Sequence, residues 1–248
     1  MSGLLIVTGG GRGIGAATAV LAAERGWDVC LSYRADRDAA EAVAAACRER
    51  GVAATAVHAD VSVEADVTAL FAAADGHARP LAGLVNNAGI VGPPVTVAEV
   101  GAARVARMLA VNVLGAFLCA REAVRRMARS RGGAGGAIVN VSSRAAALGS
   151  PGEYVDYAAS KAAVDTLTIG LAREVAGDGI RVNAVRPGLI DTDIHASGGQ
   201  PDRVARLAGS VPMGRGGSAG EVAESILFLL SPAASYTTGA LLDVGGGR

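Results

Sequence analysis

Short runs of Val, Ile and Leu alternate with longer alanine-rich segments along the sequence, and this alternation limits the fold more than any other feature. Strand patterns fall at 4–8, 28–33, 53–59, 83–86, 137–142, 181–186 and 240–244, and helical patterns at 13–25, 36–50, 63–77, 96–110, 113–130, 154–176 and 219–230. A helix between successive strands returns the chain to the edge it left, so the strands run parallel through right-handed crossovers. The strands are continuously aliphatic, as burial on both faces requires. No linker or 20–50-residue repeat interrupts residues 1–248, which predicts a single α/β domain with a doubly wound sheet. At 51% hydrophobic and 19% charged residues, the chain has enough apolar surface to cover both faces, which excludes disorder.

Ligands of such a sheet bind beyond the carboxyl ends of its strands. The residues there are Thr8-Gly9, Tyr33-Arg34, Asp60-Val61, Asn86-Asn87-Ala88-Gly89, Ser142-Ser143 and Pro187-Gly188. The first strand runs through Gly9, Gly10, Gly11, Arg12, Gly13, Ile14 and Gly15 into an alanine-rich helix. Glycines let backbone approach a pyrophosphate, and the helix start offers unpaired N–H groups and its positive dipole end. The spacing is neither G-x-G-x-x-G nor a P-loop, since Arg12 and Ile14 interrupt it and no Gly-Lys-Ser/Thr follows. At the second strand's end Tyr33 and Arg34 stand where a carboxylate would bind the ribose of NAD, with Arg12 nearby. Two guanidiniums suit a 2′-phosphate, which favours NADP(H) and leaves NAD(H) possible. Asp36 either neutralises Arg34 or caps the next helix.

Lys161 is the one lysine among 23 basic residues. Tyr157 precedes it by four positions in a helical stretch, so the two share a face. A tyrosine acting as an acid or base near neutrality needs a pKa about 2–3 units below ~10, or roughly 3–4 kcal/mol. An ammonium ~5 Å away supplies about 3 kcal/mol at an effective dielectric of ~20, so Lys161 alone is expected to provide most of the shift. Ser143 ends a strand fourteen residues earlier and can hydrogen-bond a carbonyl oxygen. Asn112 lies between two helical stretches, where its carboxamide can bind backbone or hold a water.

Together, Thr8-Gly-x-x-x-Gly-x-Gly15, Asn86-Asn-Ala-Gly89, Asn112, Ser143, Tyr157-x-x-x-Lys161 and Pro187-Gly188 resemble the short-chain dehydrogenases/reductases over essentially the whole chain. The branch resembled includes ketoacyl reductases and glucose dehydrogenases. The resemblance implies a Rossmann fold with seven parallel strands in the order 3-2-1-4-5-6-7, assembled as a homotetramer. It also implies that Tyr157 is the general acid/base and that Ser143 orients the carbonyl. Lys161 would hold the nicotinamide ribose and depress the tyrosine's pKa, and Asn112 would anchor a water in a proton relay. By the same resemblance Asp60 and Val61 meet the adenine, and Asn87, Ala88 and Gly89 border the adenosine ribose. Beyond Pro187 and Gly188, Ile190 contacts the carboxamide with Thr192 assisting. The serine-to-tyrosine interval is one residue longer than in many relatives, so Ser142 rivals Ser143, and alternation lets only one face the cofactor.

Residues 191–215 carry glycines, a proline and His195, and read as a mobile lid over substrate. Val91, Arg144, Leu148 and Tyr154 would complete the pocket, with Arg144 a candidate contact for an anion. Twenty-three basic against 23 acidic residues leave no net charge, which argues against nucleic-acid or membrane-surface partners. Cys30, Cys47 and Cys119 are too scattered for a disulfide framework or zinc site, and the three histidines for a metal site. With no leader pattern and no apolar run of about 18 residues, a cytoplasmic protein is expected. The expected function is reversible hydride transfer between NADP(H) and a small carbonyl/alcohol pair. A non-catalytic NADP(H)-binding sensor is the alternative from another class, and an epimerase or dehydratase the alternative among enzymes.

Overall fold

The computed structural model describes residues 3–248. In chain order the first half comprises β1 (Leu4–Val7), α1 (Gly13–Glu24), β2 (Asp28–Tyr33), α2 (Arg37–Arg48), β3 (Ala54–His58), α3 (Glu64–Asp75), β4 (Leu81–Asn86), α4 (Ala102–Leu109) and α5 (Gly115–Met127). Then follow β5 (Gly136–Val141), α6 (Ala145–Leu148), α7 (Val155–Val175), β6 (Ile180–Pro187), β7 (Ile190–Asp191), α8 (Ile194–Ser197), α9 (Arg203–Leu207), β8 (Gly217–Ser218), α10 (Ala219–Leu230) and β9 (Leu241–Val244). Seven strands pair in parallel in the order β3-β2-β1-β4-β5-β6-β9, the expected arrangement once the two-residue pair β7–β8 is set aside.

Alternation along β1 divides the core. Leu5 and Val7 face one layer, with Ala19 and Ala22 of α1, Ala40 and Ala44 of α2, and Ile226 of α10. Leu4 and Ile6 face the other, with Leu70 and Phe71 of α3, Met127 of α5 and Val175 of α7. Both faces are dry, so polar groups inside must pair with each other. Asn86 Nδ2 donates to Asn140 Oδ1 at 2.9 Å across β4–β5, and Asn140 Nδ2 donates to Thr168 Oγ1 of α7 at 2.8 Å. This chain fixes α7 against the centre of the sheet.

The sequence pattern misses one helical junction. Residues 96–100 form turns, with the Val100 N–H donating to the Thr96 carbonyl, and α4 begins only after Gly101. From there the chain stays helical to Met127 through a π-helical turn at Ala110–Leu114, rather than breaking between two helices. Asn112 sits inside that turn, a wider helical geometry that recurs at functional sites. Residues 191–215 contain the short helices α8 and α9. The side chain of His195 lies outside the described residues.

Candidate active site

A cleft of about 430 Å³ opens above the carboxyl ends of the central strands. All the candidate site residues line it except Gly15 and Asn112. Those two act from behind the wall. A Cβ at Gly15 would lie 2.5 Å from both Asn87 Nδ2 and the Gly9 carbonyl oxygen, so glycine is required for the loop to close on the β4 end.

Along the phosphate-loop wall, Gly9 and Gly13 have φ of +63° and +53°, the left-handed region that glycine tolerates. Thr8 Oγ1 accepts from the N–H groups of Asn87 and Ala88, both at 3.0 Å, and Asn87 Nδ2 donates to the Thr8 and Gly9 carbonyls at 2.9 and 3.0 Å. Asn87 therefore holds the loop with its side chain. Helix α1 starts without a side-chain cap or an acidic residue in its first turn, leaving its N-terminal N–H groups and dipole open to an anion. This bare helix start behind a glycine cradle fits a dinucleotide pyrophosphate.

At the β2–β3 corner, Asp36 caps α2 by accepting from the Ala39 N–H at 2.9 Å, which resolves its two readings. The expectation of two guanidiniums without a carboxylate needs correction, because Asp60 supplies one from just beyond the end of β3. Its Oδ2 lies 3.8 Å from Arg34 Nη1 and 2.8 Å from Arg107 Nη2, and its Oδ1 accepts from Ser62. Burial would raise the Asp60 carboxyl, but Ser62 and Arg107 together lower it to about 2. Arg107 on α4 absorbs much of this charge, and Arg12 is exposed with no partner among the described residues.

At the reactive end, Ser142 is buried with its Oγ donating to the Lys161 carbonyl at 3.2 Å, so it belongs to the packing between β5 and α7. Both serines line the cleft, but Ser143 hydrogen-bonds Tyr157 while the Ser142 hydroxyl is spent on the Lys161 carbonyl. Lys161 is 5% exposed; its Nζ donates to the Val141 carbonyl at 2.7 Å and stands 5.7 Å from the centre of the Tyr157 ring. Burial lowers the Lys161 ammonium to about 8, opposed by the Asp165 carboxylate. Burial also pushes the Tyr157 phenol up, opposed by its hydrogen bond with Ser143. The expectation that Lys161 supplies most of a downward shift is therefore corrected: the phenol is shifted upward, by burial, with Ser143 as the group that opposes it. Asn112 takes the backbone-binding option with its side chain. Its Oδ1 accepts from the Ile90 N–H at 2.8 Å and its Nδ2 donates to the Ile90 carbonyl at 3.0 Å and Ser160 Oγ at 3.0 Å. The carboxamide thus ties the segment after Gly89 to α7.

Three further side chains on the wall come from sequence-distant segments: Arg107, Arg203 and Arg248. Arg203 of α9 pairs with Glu153 at 2.7 Å and lies 5.1 Å above the Tyr154 ring, while Gln200 donates to the Tyr154 hydroxyl. The segment over the cleft is thus pinned to the entry of α7. Arg144 pairs with Asp243 and gives its Nε to the Arg248 carbonyl oxygen at 2.6 Å, so it is not the free anion contact expected. A glycine-rich tail carries no periodic signal, which is why Arg248 was missed.

A family model described as Enoyl-(Acyl carrier protein) reductase matches residues 9–248. The chain is 56% identical over 245 residues to the uncharacterized oxidoreductase YgfF of Escherichia coli K12, covering 99% of both chains. It is 43% identical over 242 residues to cis-4-hydroxycyclohexanecarboxylate dehydrogenase of Sinomonas cyclohexanicum, covering 98% of this chain and 94% of that one. Among solved structures, 3-ketoacyl-(acyl-carrier-protein) reductase from Brucella melitensis complexed with NADH is 36% identical with a TM-score of 0.91, covering 99% of this chain and 98% of that one.

Proposed function

The chain belongs to the short-chain dehydrogenase/reductase family and is an NAD(P)-dependent oxidoreductase, and from that premise we propose that it reduces a small ketone or aldehyde with NADPH, using Ser143, Tyr157 and Lys161. The observation that carries this reading is the convergence of these three side chains on one cleft wall, with the bare start of α1 opposite. A bound nicotinamide supplies the hydride in reduction and accepts it in oxidation. The chain's own residues then manage orientation and the proton. Ser143 offers its hydroxyl to the carbonyl oxygen, and Tyr157 places a second hydroxyl beside it. Burial keeps that phenol protonated, which suits a proton donor to the oxygen as it becomes an alkoxide. Lys161, anchored on the Val141 carbonyl, directs its remaining donors toward the cleft and would hold ribose hydroxyls. Asn112 acts at one remove by fixing the Ile90 segment.

Preference for NADP(H) over NAD(H) rests on Arg12, which has no partner among the described residues, and on exposed Arg34, only loosely paired with Asp60. The segment 191–215 serves as the lid, with Arg203–Glu153 as its latch. Leu109, Leu114 and Phe117 stand exposed on the α4–α5 run, an apolar face that supports burial against a second copy and the homotetramer reading. Three buried thiols without a disulfide among the described residues accord with a reducing cytoplasm. The test is a panel of carbonyls and alcohols followed at the reduced-nicotinamide absorbance with both cofactors. Turnover with NADPH at a kcat/KM at least ten times that with NADH supports the reading. Binding of NADPH with no turnover across the panel would make the protein a sensor.

A further inference from the structure

Beyond Ser143 and Tyr157, away from the phosphate loop, three guanidiniums line the cleft: Arg144, Arg203 and Arg248. Arg144 is committed to Asp243 and to the Arg248 carbonyl oxygen. Arg203 is committed in part to Glu153. The half-buried Arg248 guanidinium has no hydrogen bond or ion pair among the described residues. The carboxyl group it acts on is Glu153, held below the ordinary carboxylate range first by Arg203 and then, at longer range, by Arg206 and Arg248. Glu153 is therefore paired with Arg203, and its attraction reaches Arg206 and Arg248 only at longer range. Asp193 also lines the cleft, but it follows Thr192, whose side chain lies 3.5 Å from where a Cβ of Gly13 would be, in the cofactor half.

Arg248 is placed there by a built turn. Gly246 and Gly247 have φ of +63° and +93°, which reverses the chain after β9. A Cβ at Gly246 would lie 2.7 Å from Val211 Cγ1, and one at Gly247 3.0 Å from Pro212 Cβ, so only glycines let the tail run beneath the segment 211–213. The Met213 N–H closes on the Gly246 carbonyl at 3.1 Å, and Arg144 Nε fixes the Arg248 carbonyl at 2.6 Å. The Arg248 N–H also donates to the Gly245 carbonyl at 3.2 Å, so hydrogen bonds hold the backbone of a residue whose guanidinium has no partner among the described residues.

We propose that the substrate is an oxo-carboxylate, its carboxylate received by Arg248 and the free donors of Arg203 while its carbonyl meets Ser143 and Tyr157. This rests on the hydride-transfer reading and narrows its substrate class. An arginine fork matches a carboxylate with two parallel N–H···O bonds, and a partly desolvated cation without a counter-ion gains most from such a partner.

The experiment pairs small oxo-carboxylates with their methyl esters and measures both turnover with NADPH and calorimetric binding to the NADPH-loaded enzyme. Wild type, Arg248→Met and Arg248→Lys are compared. One charge-assisted pair corresponds to about 10- to 100-fold in affinity. The expected result is an acid-over-ester preference of that size, carried mainly by KM, that collapses toward unity in Arg248→Met and is partly restored in Arg248→Lys. Ester turnover equal to or better than acid turnover overturns the carboxylate assignment and leaves hydride transfer standing. An acid preference that survives Arg248→Met overturns the role of Arg248. Arg248-dependent binding of the acids without turnover keeps the anion site and removes the hydride-transfer reading. Absence of both binding and turnover removes both.

Discussion

Lys161 is a cation held where burial disfavours the charge, and folding stability reports its titration directly. Burial lowers its pKa from 10.5 to about 8. The unfolded chain keeps this proton up to the ordinary value, so between about pH 8 and pH 10.5 unfolding takes up a proton, and the stability owed to this group rises with pH. Below about pH 8 both states carry the proton, and the folded state bears the whole penalty of roughly 3 kcal/mol, at about 1.4 kcal/mol per unit. From about pH 7 to about pH 9.5 the penalty falls by about 2 kcal/mol. The thiols of Cys30, Cys47 and Cys119, pushed up to about 11, 11 and 12, bend the wild-type curve the other way at higher pH. The comparison is therefore with Lys161→Met, which keeps those thiols. Urea unfolding of both proteins across this range should move the stability difference about 2 kcal/mol in favour of wild type, with similar m values. A difference that stays flat would show that the ammonium titrates as it does in water, and the buried-cation account would be wrong.

Ser143→Ala should lower kcat by about 10²-fold, as loss of a donor to a developing oxyanion does, whereas Ser142→Ala should register in stability by about 1 kcal/mol through its lost bond to the Lys161 carbonyl. Steady-state kinetics beside urea titration separates the two, and reversed effects would exchange their assignments. Arg34→Ala should weaken NADPH by about 10-fold or more while weakening NADH much less, read by fluorescence titration; equal losses would refute the 2′-phosphate argument. Gly10→Ala places a Cβ 2.6 Å from Leu31 Cβ, an overpacking that should cost about 1–3 kcal/mol. Gly170→Ala, on α7 with open space around the new carbon, should instead stabilise by about 0.5–1 kcal/mol, and the two urea midpoints must move in opposite directions.

What the sequence made legible was local or periodic. The aliphatic strands and their polar ends specified the sheet, and the four-residue spacing of Tyr157 and Lys161 put both on one face of α7. Asn112 and Gly15 were found as residues but not as contacts, since the partners Ile90 and Asn87 lie on other segments. The charge at the adenosine corner was misjudged because Arg107 meets Asp60 across 47 positions, a pairing no local pattern encodes. Arg203 and Arg248 were missed for the same reason, each being carried to the cleft by a loop or tail. The sign of the Tyr157 shift also lay beyond the sequence. A Coulomb argument supplied the neighbouring ammonium, but only the fold reveals how strongly the phenol is desolvated.

The central claim is that hydride leaves a nicotinamide for a carbonyl carbon while Tyr157 donates the proton. Reduction with NADPH deuterated at the transferred position, by wild type and Tyr157→Phe at matched cofactor occupancy, tests it most directly. The account predicts deuterium at the carbinol carbon of the wild-type product and loss of labelled product in the variant, which still binds NADPH. Labelled product formed by Tyr157→Phe at a comparable rate, or wild-type product without the label, would contradict it.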